Sequence, residues 1–240
     1  MRGAEGAGID VVIGVAERDA VTQGTVYCTL LFIGREGLIL GRHRKIKPTF
    51  NERSVWGEGD ASGLRVYERP YGRISGLNCW EHNAMLPGYA LAAQGTQIHV
   101  AAWPGREPVS APPATIPLWP RQLLLSRAFA SQASCYVIAV GGMRSHADTP
   151  ERYRALSTIE YTGDSCIIDP RGEVIAGPAQ GEIVLIAEGS MAAVLAAKAV
   201  SDIGGHYSRP DLLRLIMDRN RQDRVVDCDI AGRSETSVWR

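Results

Sequence analysis

No apolar run in the 240 residues approaches the length of a membrane span, so no membrane association is expected. Neither sign of charge is in excess. Lys plus Arg and Asp plus Glu number 26 each, which argues against a dedicated nucleic-acid or acidic-lipid binder. Cysteine pairs are lacking too. The five cysteines (Cys28, Cys79, Cys135, Cys166, Cys228) are odd in number and far apart, which excludes a disulfide framework and a CxxC zinc site. No phosphate loop, HExxH or GxGxxG is present. The opening Met1–Gly8 carries charge with no apolar core after it, so it does not read as a signal peptide, and the cytoplasm is the expected location.

What is present is an ordinary globular composition, 45% apolar and 22% charged, long enough for one α/β domain. Ile9 to Ala16 is apolar and β-branched and reads as a strand buried on both faces. Thr25 to Ile33 and Leu38 to Leu40 form a second pair of strands around a Gly34–Gly37 turn, and a basic loop, His43 to Thr49, follows. Arg65 to Glu68, Arg73 to Asn78, Gln97 to Trp103, Cys135 to Val140 and Ile183 to Ala187 read as strands, and Asp164 to Ile175 as a hairpin turning at Asp169–Gly172. Helices are expected over Asn83 to Gln94 (interrupted at Pro87-Gly88), Arg121 to Ala133, Ser190 to Val200 with Ser190 as N-cap, and Pro210 to Met217. Pro104 to Pro117 holds five of the 13 prolines and is expected to be a loop shaping a substrate entrance or a subunit contact. Residues 1–218 are read as one domain and 219–240 as a polar tail.

Cys79 lies where the apolar strand Ile74–Leu77 meets a helix. A sharp strand-to-helix turn projects a side chain and aims free backbone N–H groups at it, which favours a thiolate nucleophile. The competing reading is a buried structural cysteine. Cys28, Cys135 and Cys166 lie inside strands and read as core, and Cys228 lies in the tail. Lys45 sits in a basic run, HRKIKPT, whose ordinary meaning is a solvated patch. Glu52, seven residues on, reads alone as a surface ion-pair partner. His82 is expected to point away from Cys79, His99 to be core, and His206 is unplaced.

Taken together, these residues resemble the nitrilase family of carbon–nitrogen hydrolases. The similarity is carried by Gly41–Leu64 (GRHRKIKPTFNERSVWGEGDASGL), Gly76–Gly105 with its Cys-Trp-Glu motif, Ser165–Pro178 and Asp202–Asp211, and Lys45 and Cys79 are 34 residues apart. The resemblance implies an α-β-β-α sandwich and a Glu–Lys–Cys triad needing no metal or organic cofactor. Cys79 matches its nucleophile, Lys45 its lysine and Glu52 a second, supporting glutamate, while the Trp80 backbone N–H matches the oxyanion contact. It implies hydrolysis of a small nitrile to acid and ammonia, with a cyanide- or amide-hydrolysing relative as an alternative, by a homodimer or larger homo-oligomer. The family's general-base glutamate lies upstream of the lysine, at the end of the first strand and after a proline. Neither Glu5 nor Glu17 follows a strand and a Pro-Glu step, and although Glu17 ends a strand, that strand (GIDVVIGVAERD) is similar to a later family element. The chain is thus expected to lack the first strand, the first helix and that base, as an N-terminally truncated member. A catalytically inactive remnant is the corresponding alternative.

Overall fold

The computed structural model describes residues 1–106, 119–156 and 160–219. A six-residue helix, α1 (Arg2–Ala7), precedes a three-stranded antiparallel sheet of β1 (Val11–Arg18), β2 (Val26–Ile33) and β3 (Ile39–Arg44). The β2–β3 turn closes with Gly34 accepting from Gly37 and donating to Leu38 O, 2.8 Å each. Gly37 sits at φ 73, a left-handed conformation that glycine adopts without strain. Side chains alternate across β2, so Cys28, Leu30 and Phe32 share one face.

The larger sheet runs β10-β9-β7-β6-β5-β4, in chain order β4 (Tyr67–Arg69), β5 (Gly72–Asn78), β6 (Ile98–Trp103), β7 (Tyr136–Gly141), β9 (Tyr161–Ile168) and β10 (Val174–Gln180), with the short β8 (Met143–Arg144) paired to β9. Strands β5, β6 and β7 are parallel, and the remaining pairs are antiparallel. The two sheets stack through Leu30, Phe32 and Ile74, with Val12, Leu40, Tyr67 and Ala102 around them. A Cβ added at Gly76 would lie 3.1 Å from Leu30 Cδ1, so β5 approaches β2 closely because glycine stands there. On its other face the large sheet packs against α2 (Met85–Ala92) and α3 (Trp119–Ala133), where Ala101, Val137, Cys135 and Ile168 are fully buried beneath Ala130 and Ala133. A fourth helix, α4 (Met191–Val200), is capped by Ser190 Oγ on Ala192 N–H (3.1 Å), as its sequence predicts. This is the expected stacking of two sheets with helices outside. Among the described residues, α1 lies against the Gly37 turn, with Glu5 Cβ 3.2 Å from the position a Gly37 Cβ would take. No helix among the described residues is long and apolar enough to cross a membrane.

Several expectations are corrected. The stretch from His43 is not a loop from its start, because β3 runs through Arg44 and buries His43 completely. Pro87 does not interrupt α2, since it occupies the first turn, where its missing N–H has no helical acceptor to lose. Residues 79–83 instead form a separate 3-10 turn. Ile183 to Ala187 form no strand: Gly181, at φ 77, donates to Thr162 O (3.1 Å) and ends the β10 ladder. Pro210 to Met217 is a turn, with Leu212 and Leu213 both donating to Arg209 O. Only Met217 of this stretch packs on a core cluster (Leu64, Leu77 and Leu91), while Leu212, Leu213 and Ile216 are exposed, and so short a helix does not persist on one anchor. The Asp169–Gly172 turn is as expected: Asp169 N–H bonds Glu173 O, and its carboxylate accepts from Arg171 and Glu173 N–H. Most of the proline-rich loop (107–118) and the tail from residue 220, with Cys228, lie outside the described residues.

Candidate active site

Lys45 leaves the end of β3 with its backbone bonded on both sides, N–H to Cys28 O and O from Gly59 N–H, each 2.8 Å. Its side chain is 1% exposed and points to the sheet–sheet interior. A buried ammonium is costly unless paired, and Nζ is paired to Glu52 Oε2 at 2.5 Å. Glu52 sits in the first turn of a 3-10 helix (Phe50–Ser54), where the same oxygen accepts from Thr49 N–H (2.6 Å) in a capping box. Lys45 is therefore not part of a solvated patch, and Glu52 is more than a surface partner.

Strand β5 ends at Asn78, and the next residue, Cys79, adopts φ 52. A non-glycine residue in this left-handed region carries strain of about 1–2 kcal/mol. The thiol at this turn is free and half-buried, and a left-handed residue between strand and helix is the backbone arrangement that sharp nucleophile turns share. Burial pushes the Cys79 thiol up to about 12, while the Lys45 charge and the Trp80 backbone N–H pull the other way and Glu52 pushes it further up. The Trp80 ring is held beneath the Arg121 guanidinium, 5.2 Å from its centroid. The four residues singled out in the sequence, Cys79, Lys45, Glu52 and Trp80, thus come together.

Two further residues join the ends of β3 and β5. Glu81, 6% exposed, accepts hydrogen bonds from Asn78 N–H (2.7 Å), Ile46 N–H (2.8 Å) and His43 Nε2 (2.9 Å). Burial alone would raise its carboxyl pKa, but His43 and the two backbone donors outweigh this and hold it below the usual carboxylate range. Glu81 therefore fixes the Lys45 strand end to the Cys79 turn. The sequence did carry a signal for it, since Asn78 and Glu81 stand at capping-box spacing. His43, in β3 two residues before Lys45, shares its side of the chain, a pattern hidden when the run is read as a loop.

On the helix side, His82 Nδ1 lies 2.8 Å from Cys79 O and His82 Nε2 lies 3.0 Å from His99 Nε2, with His99 Nδ1 2.8 Å from Ser75 Oγ. The rings pack on Trp103 and Phe129. Burial lowers the His82 pKa to about 4 and the His99 pKa well below its usual value. His82 thus points away from the Cys79 sulfur, and His99 is in the core, as expected.

The upstream acids are elsewhere. Glu17 binds Arg44 and Arg42, both at 2.6 Å, and Thr29 Oγ1 at 2.9 Å, on the face of the small sheet opposite His43 and Lys45. Glu5 lies in α1. Cys135 and Cys166 are core, as expected. Cys28 is instead half-buried. Among the described residues, no three His, Cys, Asp or Glu side chains converge as a metal-binding group.

The family model for carbon-nitrogen hydrolase matches residues 1–199. "Nitrilase 2" from an unknown prokaryotic organism is 56% identical over 231 residues, 95% of this chain and 70% of that protein. The "Aliphatic nitrilase" of Rhodococcus rhodochrous is 36% identical over 219 residues, which are 86% of this chain but only 57% of that protein. Among solved structures, a carbon-nitrogen hydrolase from Helicobacter pylori G27 superposes with TM-score 0.70 at 18% identity, covering 88% of this chain and 73% of that one. Saccharomyces cerevisiae Nit3, described as a member of branch 10 of the nitrilase superfamily, gives TM-score 0.66 at 21% identity, covering 85% and 68%. These two structures share the fold.

Proposed function

The chain belongs to the carbon–nitrogen hydrolase family, and within it we propose a nitrilase that converts a small nitrile and water to a carboxylic acid and ammonia through Cys79. The observation that carries this reading is the junction itself: a projected thiol, a buried ammonium paired to a carboxylate, and a backbone N–H directed at the sulfur. The Cys79 sulfur adds to the nitrile carbon and its proton passes to the nitrile nitrogen, giving a thioimidate. Lys45 Nζ and the Trp80 N–H stabilise negative charge as it develops. Water adds, the carbon–nitrogen bond breaks and ammonia leaves, so a thioester remains. A second water releases the acid and restores the thiol. Both waters need a base, and Glu52, matched from the sequence only to a supporting glutamate, is our candidate for that part because its carboxylate is 35% exposed beside Lys45.

A second reading is a binding or assembly subunit of this fold without turnover. It is favoured by the engagement of Glu17 with Arg42 and Arg44, away from the thiol. Ammonia release from a panel of aliphatic, aromatic and arylacetic nitriles separates the two. The proposed nitrilase releases ammonia, and Cys79→Ala lowers the rate by at least about 10³-fold. Intact release by the alanine variant would sink the assignment of Cys79. No release from any nitrile by the unaltered chain would sink the nitrilase reading.

A further inference from the structure

The Cys79 carbonyl and the Trp80 N–H belong to one planar peptide group and point in opposite directions from it. The N–H end is directed at the Cys79 sulfur, and the carbonyl end meets His82 Nδ1 at 2.8 Å. A carbonyl oxygen only accepts, so Nδ1 of His82 carries the hydrogen. With both rings kept neutral by burial, the rest of the chain has no freedom. His82 Nε2 accepts from His99 Nε2–H at 3.0 Å, and His99 Nδ1 accepts from Ser75 Oγ–H at 2.8 Å. Ser75 Oγ in turn lies 3.0 Å from Thr96 Oγ1 as its acceptor. The titratable groups acting on this pair are each other, His43 and Glu81.

We propose that His82 is a positioning residue for the candidate active site: backed by His99 and Ser75, it holds the Cys79–Trp80 peptide in the orientation that aims the Trp80 N–H at the reacting sulfur and at the anion that forms there. Cys79 lies in the strained left-handed region. A peptide joined to such a residue needs an outside partner to stop it relaxing by rotation. The hydrogen bond to the carbonyl also polarises the peptide and makes its N–H a stronger donor. The proposal rests on Cys79 being the nucleophile, but not on the substrate being a nitrile.

The test compares His82→Asn with His82→Gln. The Asn amide nitrogen stands at the position of Nδ1 and keeps the bond to Cys79 O. The Gln nitrogen stands one atom further out, towards His99, and loses it. Ammonia release from a nitrile is measured together with the pH profile of iodoacetamide alkylation at Cys79, read on the Cys79 peptide. Loss of one aimed donor of this kind costs roughly 10²-fold in kcat with little change in KM. H82Q is therefore expected to fall in that range, to alkylate about tenfold more slowly at pH 8, and to shift the profile to higher pH. H82N is expected to stay within about threefold of the unaltered chain on both counts. Equal behaviour of the two variants, whether both impaired or both normal, overturns the proposal. If the unaltered chain turns over no nitrile, the nitrilase reading fails, and the alkylation arm still decides this one. Should H82Q not fold, Ser75→Ala carries the test. It removes the donor behind His99 and is expected to slow alkylation about threefold, and an unchanged rate overturns the proposal.

Discussion

Strand β7 has two unlike sides. Towards α3, Val137 and Ala139 are 0% and 2% exposed, while towards the small sheet Ile138 and Val140 are 36% and 44% exposed. The same strand, with the same apolar sequence, is closed on one face and open on the other. The difference lies in what covers it. Strand β2 lies over β5, where Leu30, Phe32 and Ile74 form one cluster with Val12 of β1 and Ala102 of β6 packed against it, whereas Ile138 and Val140 of β7 belong to no such cluster and stay partly exposed. The sandwich is closed over the strands whose ends carry Lys45 and Cys79, so the candidate site is built where both sheets are held together.

Breaking that closure at its tightest point has the largest expected effect. Glu81→Ala leaves His43 and two backbone donors buried without their acceptor, and removing one member of such a buried pair costs about 3–5 kcal/mol. The urea midpoint should fall accordingly, and ammonia release should be lost even where the chain stays folded. A change under about 1 kcal/mol would mean that Glu81 does not join the two strand ends.

The two sides of β7 can be set against each other directly. Val137→Ala removes a fully buried side chain and should cost about 2 kcal/mol, whereas Val140→Ala should cost less than about 1 kcal/mol. Equal losses would show that the open face is covered in solution.

Acid provides a milder test of the closed side. In the unfolded chain His82 and His99 titrate near 6.5, whereas in the folded chain burial keeps His82 neutral down to about 4 and holds His99 well below its usual value. Their contribution to stability is therefore present above pH 6.5 and is lost as pH falls towards 4, at up to roughly 1.4 kcal/mol per pH unit for each group. The urea midpoint should drop between pH 7 and pH 5, and a flat profile there would contradict the neutral relay. The smallest effect is expected at the exposed Lys47–Glu58 pair, whose side chains are 63% and 60% exposed. Lys47→Ala should move stability by less than about 0.5 kcal/mol.

The sequence revealed most of the strands because a β-branched run such as Val11–Arg18 or Tyr136–Gly141 declares itself locally. It misled where a local pattern lacked a tertiary partner. Ile183–Ala187 has strand composition but no ladder, and Pro210–Met217 is anchored on the core by Met217 while Leu212, Leu213 and Ile216 stay exposed. In the site, Cys79 was legible from its turn, and Lys45 and Glu52 only through the family resemblance, because a basic run shows its burial only once folded. The bond between His43 and Glu81, 38 residues apart, could not be read from spacing. His82 points away from the sulfur, as its position after Cys79 suggests, but its bond to the Cys79 carbonyl appears only in the folded geometry.

The central claim is that Cys79 forms the covalent bond. Rapid acid quenching of the chain with a turned-over nitrile, followed by intact-mass and peptide analysis, tests it most directly. The account predicts a transient mass gain, equal to the nitrile for the thioimidate or to the acyl group for the thioester, located on the peptide bearing Cys79 and absent in Cys79→Ala. A gain located on another residue, or one that persists undiminished in Cys79→Ala, would contradict it.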